Sequence, residues 1–351
     1  MDTIDSQIKL KNLDDVIDSA EVTLARAYTE RAIFKIYKST PPNYFEAILD
    51  LDKAIEIEPW ALKYFDRGHT HYCLGHLEQA LSDLTNSLNS YQREEREGFD
   101  VSSLSQAMIQ DYLGVCYNAL GQYEKAVREY NSALESSPPL ERFGHIFHNR
   151  ALALSNLGRY REAIQDHTKS IKLDSNNPLR YYERGITLSL KHRYKRSLMD
   201  INRAFELGLN NCAKERDLSL AHHTRGFALF KLRRYEEAFL DLNQAIQLCP
   251  QSAHSYSWRG AIYERRGEME PATRDYQAAL NLLEEVPVDK FNLRNIEHLI
   301  RVTEGLTRLG VDKSDLTAKY KELEKEKRNP YSLVILLLLR AGLSPPREKP
   351  P

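Results

Sequence analysis

Apolar and small residues recur three and four positions apart along most of the chain, interrupted by short polar or glycine-bearing stretches. That period predicts helices, because residues at those offsets share one helical face. The helices come in pairs. The first of each pair carries Tyr-x-x-Arg-Gly or a variant, and the second carries a small residue followed three positions later by an acid. The phrase reads at Tyr64, Arg67 and Gly68 with Ala80 and Asp83, and at Tyr181, Arg184 and Gly185 with Ser197 and Asp200. It returns at Tyr256, Arg259 and Gly260 with Ala272 and Asp275, and at Arg225 and Gly226 with Ala238 and Asp241. Looser copies are Tyr28, Arg31 and Ala32 with Ala47 and Asp50, and Arg150 and Ala151 with Ala163 and Asp166. A seventh copy, around Gly114, has Leu113 in place of Arg and Glu129 in place of Asp.

Turns between paired helices are marked by Leu120 to Tyr123, Leu157 to Tyr160 and Arg266 to Met269, where glycine supplies a left-handed helix exit. Pro59, Pro138, Pro250 and Pro287 fall near the ends of second helices and stop their propagation. Glycine within a helix costs about 1 kcal/mol relative to alanine. Its repeated use predicts close approach of the second helix at the small slot of Ala80, Ala126 and Ala163.

These features resemble the tetratricopeptide repeat family: the aromatic-x-x-x-Gly of helix one, the small residue after it, the next small residue (Ala54, Ser87, Ala133 and their equivalents) and the closing proline. The period fits, since Gly226 to Gly260 spans 34 residues. The resemblance implies an all-α fold, a right-handed α-solenoid of helix pairs with helical N- and C-terminal caps. The expected organisation is an N-terminal helical segment at 1–22 and seven repeats over 23–287, with inserts near 39–43, 91–103 and 207–217. C-terminal capping helices follow at 288–328, then an apolar segment at 329–343 and a Pro-rich tail at 344–351. Ile8, Leu10, Leu13, Val16 and Ile17 are expected to pack on repeat one, and the charged run near Arg93 to Gly98 to be a mobile insert.

The column Arg31/Asp50, Arg67/Asp83, Arg150/Asp166, Arg184/Asp200, Arg225/Asp241 and Arg259/Asp275 is expected to be structural, because its charges balance in number and position. Specificity then falls to its neighbours on helix one, which in this family line a concave groove. Phe65, His69, Tyr72, His148, Tyr182, His223, Phe227 and Phe230, with Trp258 beside them, are the candidate contacts. The residues three before, one after and four after the glycine slot are largely uncharged, so the expected partner is a protein or peptide segment with apolar or aromatic anchors. The Lys and paired Asn with which related co-chaperones hold acidic C-termini of heat-shock chaperones are absent from those slots, which argues against that partner.

Composition narrows the function classes. Lysine plus arginine number 49 against 50 acidic residues, a balance that offers no electrostatic drive toward nucleic acid. The apolar run Leu333 to Leu339 is far short of the roughly 20 residues that span a bilayer. Cys73, Cys116, Cys212 and Cys249 form no C-x-x-C pair, and Met1 to Leu10 does not read as a secretory signal, so a cytoplasmic protein is expected, with the nucleus or a large cytoskeletal or organellar assembly as alternatives. No phosphate loop, nucleophile elbow or zincin motif occurs, and His145, His148, His222 and His223 lack a third ligand at metal spacing. The expectation is a non-enzymatic adaptor or assembly scaffold without cofactor or metal. A permanent subunit of a large complex and a regulator of an enzyme are the alternatives.

Overall fold

A computed structural model describes residues 2–136, 144–286 and 293–325 of the chain. Among these residues there are seventeen helices and no strand. Contacts divide the chain into two units, Met1–Ser175 and Asn176–Pro351.

The first unit contains four helix pairs: α1 (Asp2–Tyr37) with α2 (Tyr44–Ile57), α3 (Ala61–Cys73) with α4 (Leu77–Glu97), α5 (Gln106–Ala119) with α6 (Tyr123–Glu135), and α7 (His145–Asn156) with α8 (Tyr160–Leu173). The second contains α9 (Pro178–Leu190) with α10 (Tyr194–Glu206), a short α11 (Leu209–Cys212), α12 (Glu215–Lys231) with α13 (Tyr235–Leu248), α14 (Ala253–Arg266) with α15 (Met269–Glu284), and α16 (Leu293–Arg308) with α17 (Ser314–Lys325). Within each unit every second helix packs on the first helix of the next pair, and successive first helices touch. Each unit is therefore an all-α solenoid, stabilised by burial between neighbours instead of in one central core.

The helix-one glycines meet the second helix at the small slot and at the large residue four positions after it. A Cβ on Gly114 would lie 2.5 Å from Tyr130 Cε1, and one on Gly185 would lie 2.7 Å from Ile201 Cδ1. A Cβ on Gly68 or Gly226 would also meet the Ala80 or Ala238 carbonyl oxygen at 3.3 or 3.2 Å, so the second helix comes close at the small slot as well as at the large residue. The left-handed exit comes seven residues after the glycine slot at Gly75, Gly121, Gly158, Gly267 and Gly310, but His192 (φ 58°) and Arg233 (φ 64°) take that conformation without glycine.

Several expectations about the inserts and ends need correction. The charged run before Gly98 is the end of α4, not a loop. Its Glu94 is buried and accepts the Ala61 backbone N–H at 2.7 Å, capping α3 from a distance in sequence. At the insert near 207–217, Leu209 of α11 is fully buried against Tyr182 and Ile201. No break separates the N-terminal segment from repeat one, since α1 is continuous, and Val16 and Ile17 are exposed on it. At the other end Ile296, Leu299, Val302 and Leu306 of α16 and Tyr320 of α17 cover Tyr276, Leu280 and Leu283 of the last repeat. Pro138, Pro287, the 329–343 apolar segment and the Pro-rich tail lie outside the described residues.

Candidate functional site

The Arg–Asp column forms one motif six times. In each pair Nε donates to one carboxylate oxygen of the Asp and Nη2 to the other: Arg31–Asp50 at 2.9 and 2.5 Å, Arg67–Asp83 at 2.8 and 2.6 Å, and Arg150–Asp166 at 2.7 and 2.9 Å. Arg184–Asp200 (2.7 and 2.8 Å), Arg225–Asp241 (both 2.7 Å) and Arg259–Asp275 (2.7 and 2.8 Å) repeat it. This planar fork is a bond geometry that lysine cannot reproduce.

A third nitrogen, Nη1, reaches the preceding helix two. Arg67 donates to Asp52 at 2.7 Å, Arg150 to Asn131 at 2.8 Å, Arg225 to Asn202 at 3.3 Å and Arg259 to Asn243 at 2.7 Å. The ring that opens each phrase lies under the guanidinium: Tyr28, Tyr64, Phe147, Tyr181 and Tyr256 sit 5.3–5.8 Å from Arg31, Arg67, Arg150, Arg184 and Arg259. Where His222 replaces that ring, it hydrogen-bonds Asp241 at 2.9 Å, and Phe205 from the previous helix two stacks on Arg225 at 4.5 Å. The column's polar groups are engaged within the fold. In the exceptional repeat Leu113 stands where the forking arginine would be, and burial raises the Glu129 pKa against the opposing pull of Arg128.

The nine candidate contact residues separate by unit. In the first unit Tyr112 gathers Phe65 (ring centroids 5.2 Å), His69 (5.2 Å) and Tyr72 (6.4 Å), and Tyr37 stacks on His69. Phe65 is buried, while His69 and Tyr72 keep partial exposure. His148 is not part of this group and lies against His167 instead.

Beside Tyr72 and Tyr112 opens a cavity of about 1060 Å³, also lined by Val115, Met108, Asp111 and the insert residues Ser102 to Ser105. Asp111 there accepts from His145 Nε2 at 2.6 Å and Asn149 Nδ2 at 3.4 Å. The insert therefore walls the face on which the candidate residues lie.

In the second unit Tyr182 is only 2 % exposed and belongs to the core with Ile201 and Ala221, so it presents no surface to a partner. The others converge. Phe227 contacts Trp258 (4.8 Å), His223 (6.5 Å) and Tyr194 (5.5 Å), and Phe230 contacts Trp258 (4.8 Å). Phe230 and Trp258 are buried, while Phe227 and His223 are half-buried. Burial pushes the His223 imidazole down to about 3, so it is neutral, with Nδ1 3.0 Å from Ser255 Oγ.

Charge enters through a slot the spacing argument passed over, two residues before the glycine position. It holds Asp66 and Tyr112 in the first unit and Glu183 and Trp258 in the second. The equivalent position of α16 is Arg301, since Gly310 exits seven residues after Thr303. Asp66 is 6 % exposed with Oδ2 unpartnered among the described residues, and burial raises its carboxyl to about 7. Glu183 is raised to about 7 by burial, with Asp217 adding to it. No group of three or more His, Cys, Asp or Glu is placed to hold a metal, and no helix is long and apolar enough to cross a membrane, among the described residues.

Family models describe residues 113–139 and 144–177 as tetratricopeptide repeats and residues 226–267 as TPR repeat. The chain contains tetratricopeptide repeats. Among solved structures, this TPR chain is similar to a tetratricopeptide repeat protein from Parabacteroides merdae, with 20% identity and a TM-score of 0.52, covering 79% of this chain and 99% of that one. It is also similar to the C-terminal part of a TPR repeat-containing protein from Cytophaga hutchinsonii (18% identity, TM-score 0.51, 77% and 99% coverage). A chain of the APC/C hetero-tetramer Cut9–Hcn1 gives 14% identity and a TM-score of 0.54 over 76% of this chain and 52% of that one. At these identities the likeness concerns the TPR fold alone. No curated protein matches the sequence.

Proposed function

We propose that this TPR protein is a non-enzymatic adaptor or assembly scaffold, and that the helix-one faces of its repeats bind a partner segment through apolar or aromatic anchors. The observation that carries this reading is the cavity of about 1060 Å³ beside Tyr72, Tyr112 and Val115. Its rings come from first helices of successive repeats, α3 and α5, and the insert after α4 closes one side. Such a concavity accepts a bulky side chain of an extended or helical segment. The Arg–Asp forks support it indirectly: their charges are engaged within the fold, so recognition falls to residues that change from repeat to repeat. The four cysteines are all free thiols, which fits a reducing compartment, the cytoplasm.

The test is quantitative affinity capture with the full chain and with Tyr72→Ala/Tyr112→Ala, under matched expression and melting temperature. Partners bound through this face are depleted at least about tenfold by the double variant, the effect of losing about 1.4 kcal/mol. Retention of the same partners at the same levels would overturn the reading.

A further inference from the structure

The second unit gathers positive charge on an aromatic wall without a carboxylate to balance it. The Arg301 guanidinium carbon lies 3.5 Å from the centroid of the Trp258 ring, and Lys231 Nζ lies 5.0 Å from the same ring and 5.4 Å from Phe227. Arg301 Nη1 is sealed from solvent with no hydrogen-bond acceptor among the described residues. Neither cation has a carboxylate at ion-pair distance among the described residues.

The neighbouring acids are engaged elsewhere or stay distant. Glu304, on the same helix as Arg301, pairs with Lys321 at 2.6 Å, and Glu297 and Glu304 raise the Arg301 pKa without forming an ion pair with it. On α14, Glu264 accepts from Arg308 at 2.7 and 3.1 Å and from the Tyr276 hydroxyl at 2.7 Å. Tyr194 and Tyr276 also act on Arg301, and the imidazoles stand in a row: His298 against both Trp258 and His254, and His254 against His223.

Such an arrangement is unfavourable when empty. Burial lowers the Arg301 pKa to about 10, and burial together with Arg301 lowers that of Lys231. Buried charge without a partner is a cost that folds retain where a ligand supplies the compensation. Stacking on the indole also fixes the guanidinium plane and leaves its edge for a planar or tetrahedral anion.

We propose that Lys231 and Arg301, held on the Trp258–Phe227 wall, form a site for an anionic side chain of the partner segment, a carboxylate or a phosphoryl group. An apolar neighbour of that side chain packs on the half-exposed ring of Phe227. This deepens the adaptor reading and rests on it, but it concerns the second unit, whereas the capture experiment above concerns the first. The stacked rings and paired cations also suit single-stranded nucleic acid. The chain's near-neutral charge, 49 basic against 50 acidic residues, favours a protein segment.

The chain has two tryptophans, so Trp60→Phe leaves Trp258 as the sole reporter. In that background three decapeptide pools, each with one central position fixed as Glu, phosphoserine or Gln, are titrated while Trp258 emission is followed. The Glu or phosphoserine pool is expected to bind about tenfold or more tighter than the Gln pool, and the stronger of the two identifies the anion. Arg301→Gln and Lys231→Gln should each remove the preference, and Arg301→Lys should retain part of it. Without peptide, Lys231→Gln should raise the melting temperature by relieving repulsion, an effect that loss of a packing residue would not produce. Equal binding of the three pools, or no response from any, would overturn the anion site while leaving the first-unit capture result intact. Tighter binding of a single-stranded RNA decamer than of any pool would overturn it in favour of nucleic acid.

Discussion

Arg259 reaches across a repeat boundary and donates from Nη1 to Asn243 Oδ1 at 2.7 Å. The same guanidinium forks onto Asp275 within its own repeat, so one side chain ties three helices together. Both partners of the fork are largely buried, at 18% and 8% side-chain exposure. Arg259→Ala strands Asp275 and should cost about 3–5 kcal/mol. Arg259→Ala/Asp275→Ala should cost less than the sum of the single changes, because no charge is left behind. Asn243→Ala should cost only about 1 kcal/mol. Urea unfolding followed by circular dichroism, with hydrogen exchange across α13 to α15, reads all three. Arg31, whose side chain is 56% exposed in an otherwise identical fork, should show a much smaller change when truncated.

How much of this could be read in advance depended on whether a residue belonged to the repeated phrase. The Arg–Asp forks were legible because Arg and Asp recur at nearly fixed offsets, whereas the ring under Arg225 comes from Phe205 outside the phrase. The candidate contacts were legible only as a helix face, since spacing alone does not separate the buried Tyr182 from the half-exposed Phe227. Arg301 stayed hidden because its helix has Thr303 in the glycine slot and Val302 in the arginine slot, so no phrase marks it. Glu94 stayed hidden for another reason: it caps Ala61, thirty-three residues away, and a local pattern carries no record of such a contact.

Stability should depend on pH through Asp66. Burial lifts its carboxyl from 3.8 to about 7 in the fold. Between roughly pH 4 and 7 the folded chain holds a proton that the unfolded chain has released, so stability falls as pH rises through that window and levels off above it. Asp66→Asn mimics the protonated form. It should be more stable than the parent at pH 8 and nearly equal to it close to pH 4. Glu183, raised to about 7 by burial with Asp217 adding, should behave in the same sense when changed to Gln. Denaturant titrations at the two pH values measure the difference, and a constant offset between parent and variant would refute the assignment.

The left-handed exits without glycine offer a stabilising change. Arg233 holds φ 64° where four other repeats and α16 use glycine. A side chain in that region costs about 1–2 kcal/mol, against a chain-entropy penalty of about 0.5–1 kcal/mol for introducing glycine. Arg233→Gly should therefore stabilise the second unit by up to about 1 kcal/mol. The reciprocal Gly267→Ala, at φ 75° with open space around it, should destabilise by a similar amount. Melting temperatures of the two variants should move in opposite directions.

Tyr130 combines tight packing with an unmet polar group. Its ring fills the space above Gly114, where a Cβ would sit 2.5 Å from Cε1, and its fully buried hydroxyl has no hydrogen-bond partner among the described residues. Those two facts predict opposite effects from two small changes. Gly114→Ala forces the ring away and should cost about 1–3 kcal/mol. Tyr130→Phe keeps the ring, removes the unsatisfied hydroxyl and should be neutral or stabilising by about 1 kcal/mol. Combining the two should not restore the parent, because the clash is with ring carbons and not with the hydroxyl. If Tyr130→Phe instead destabilises by more than about 1 kcal/mol, the hydroxyl has a partner in solution, such as a bound water at that position.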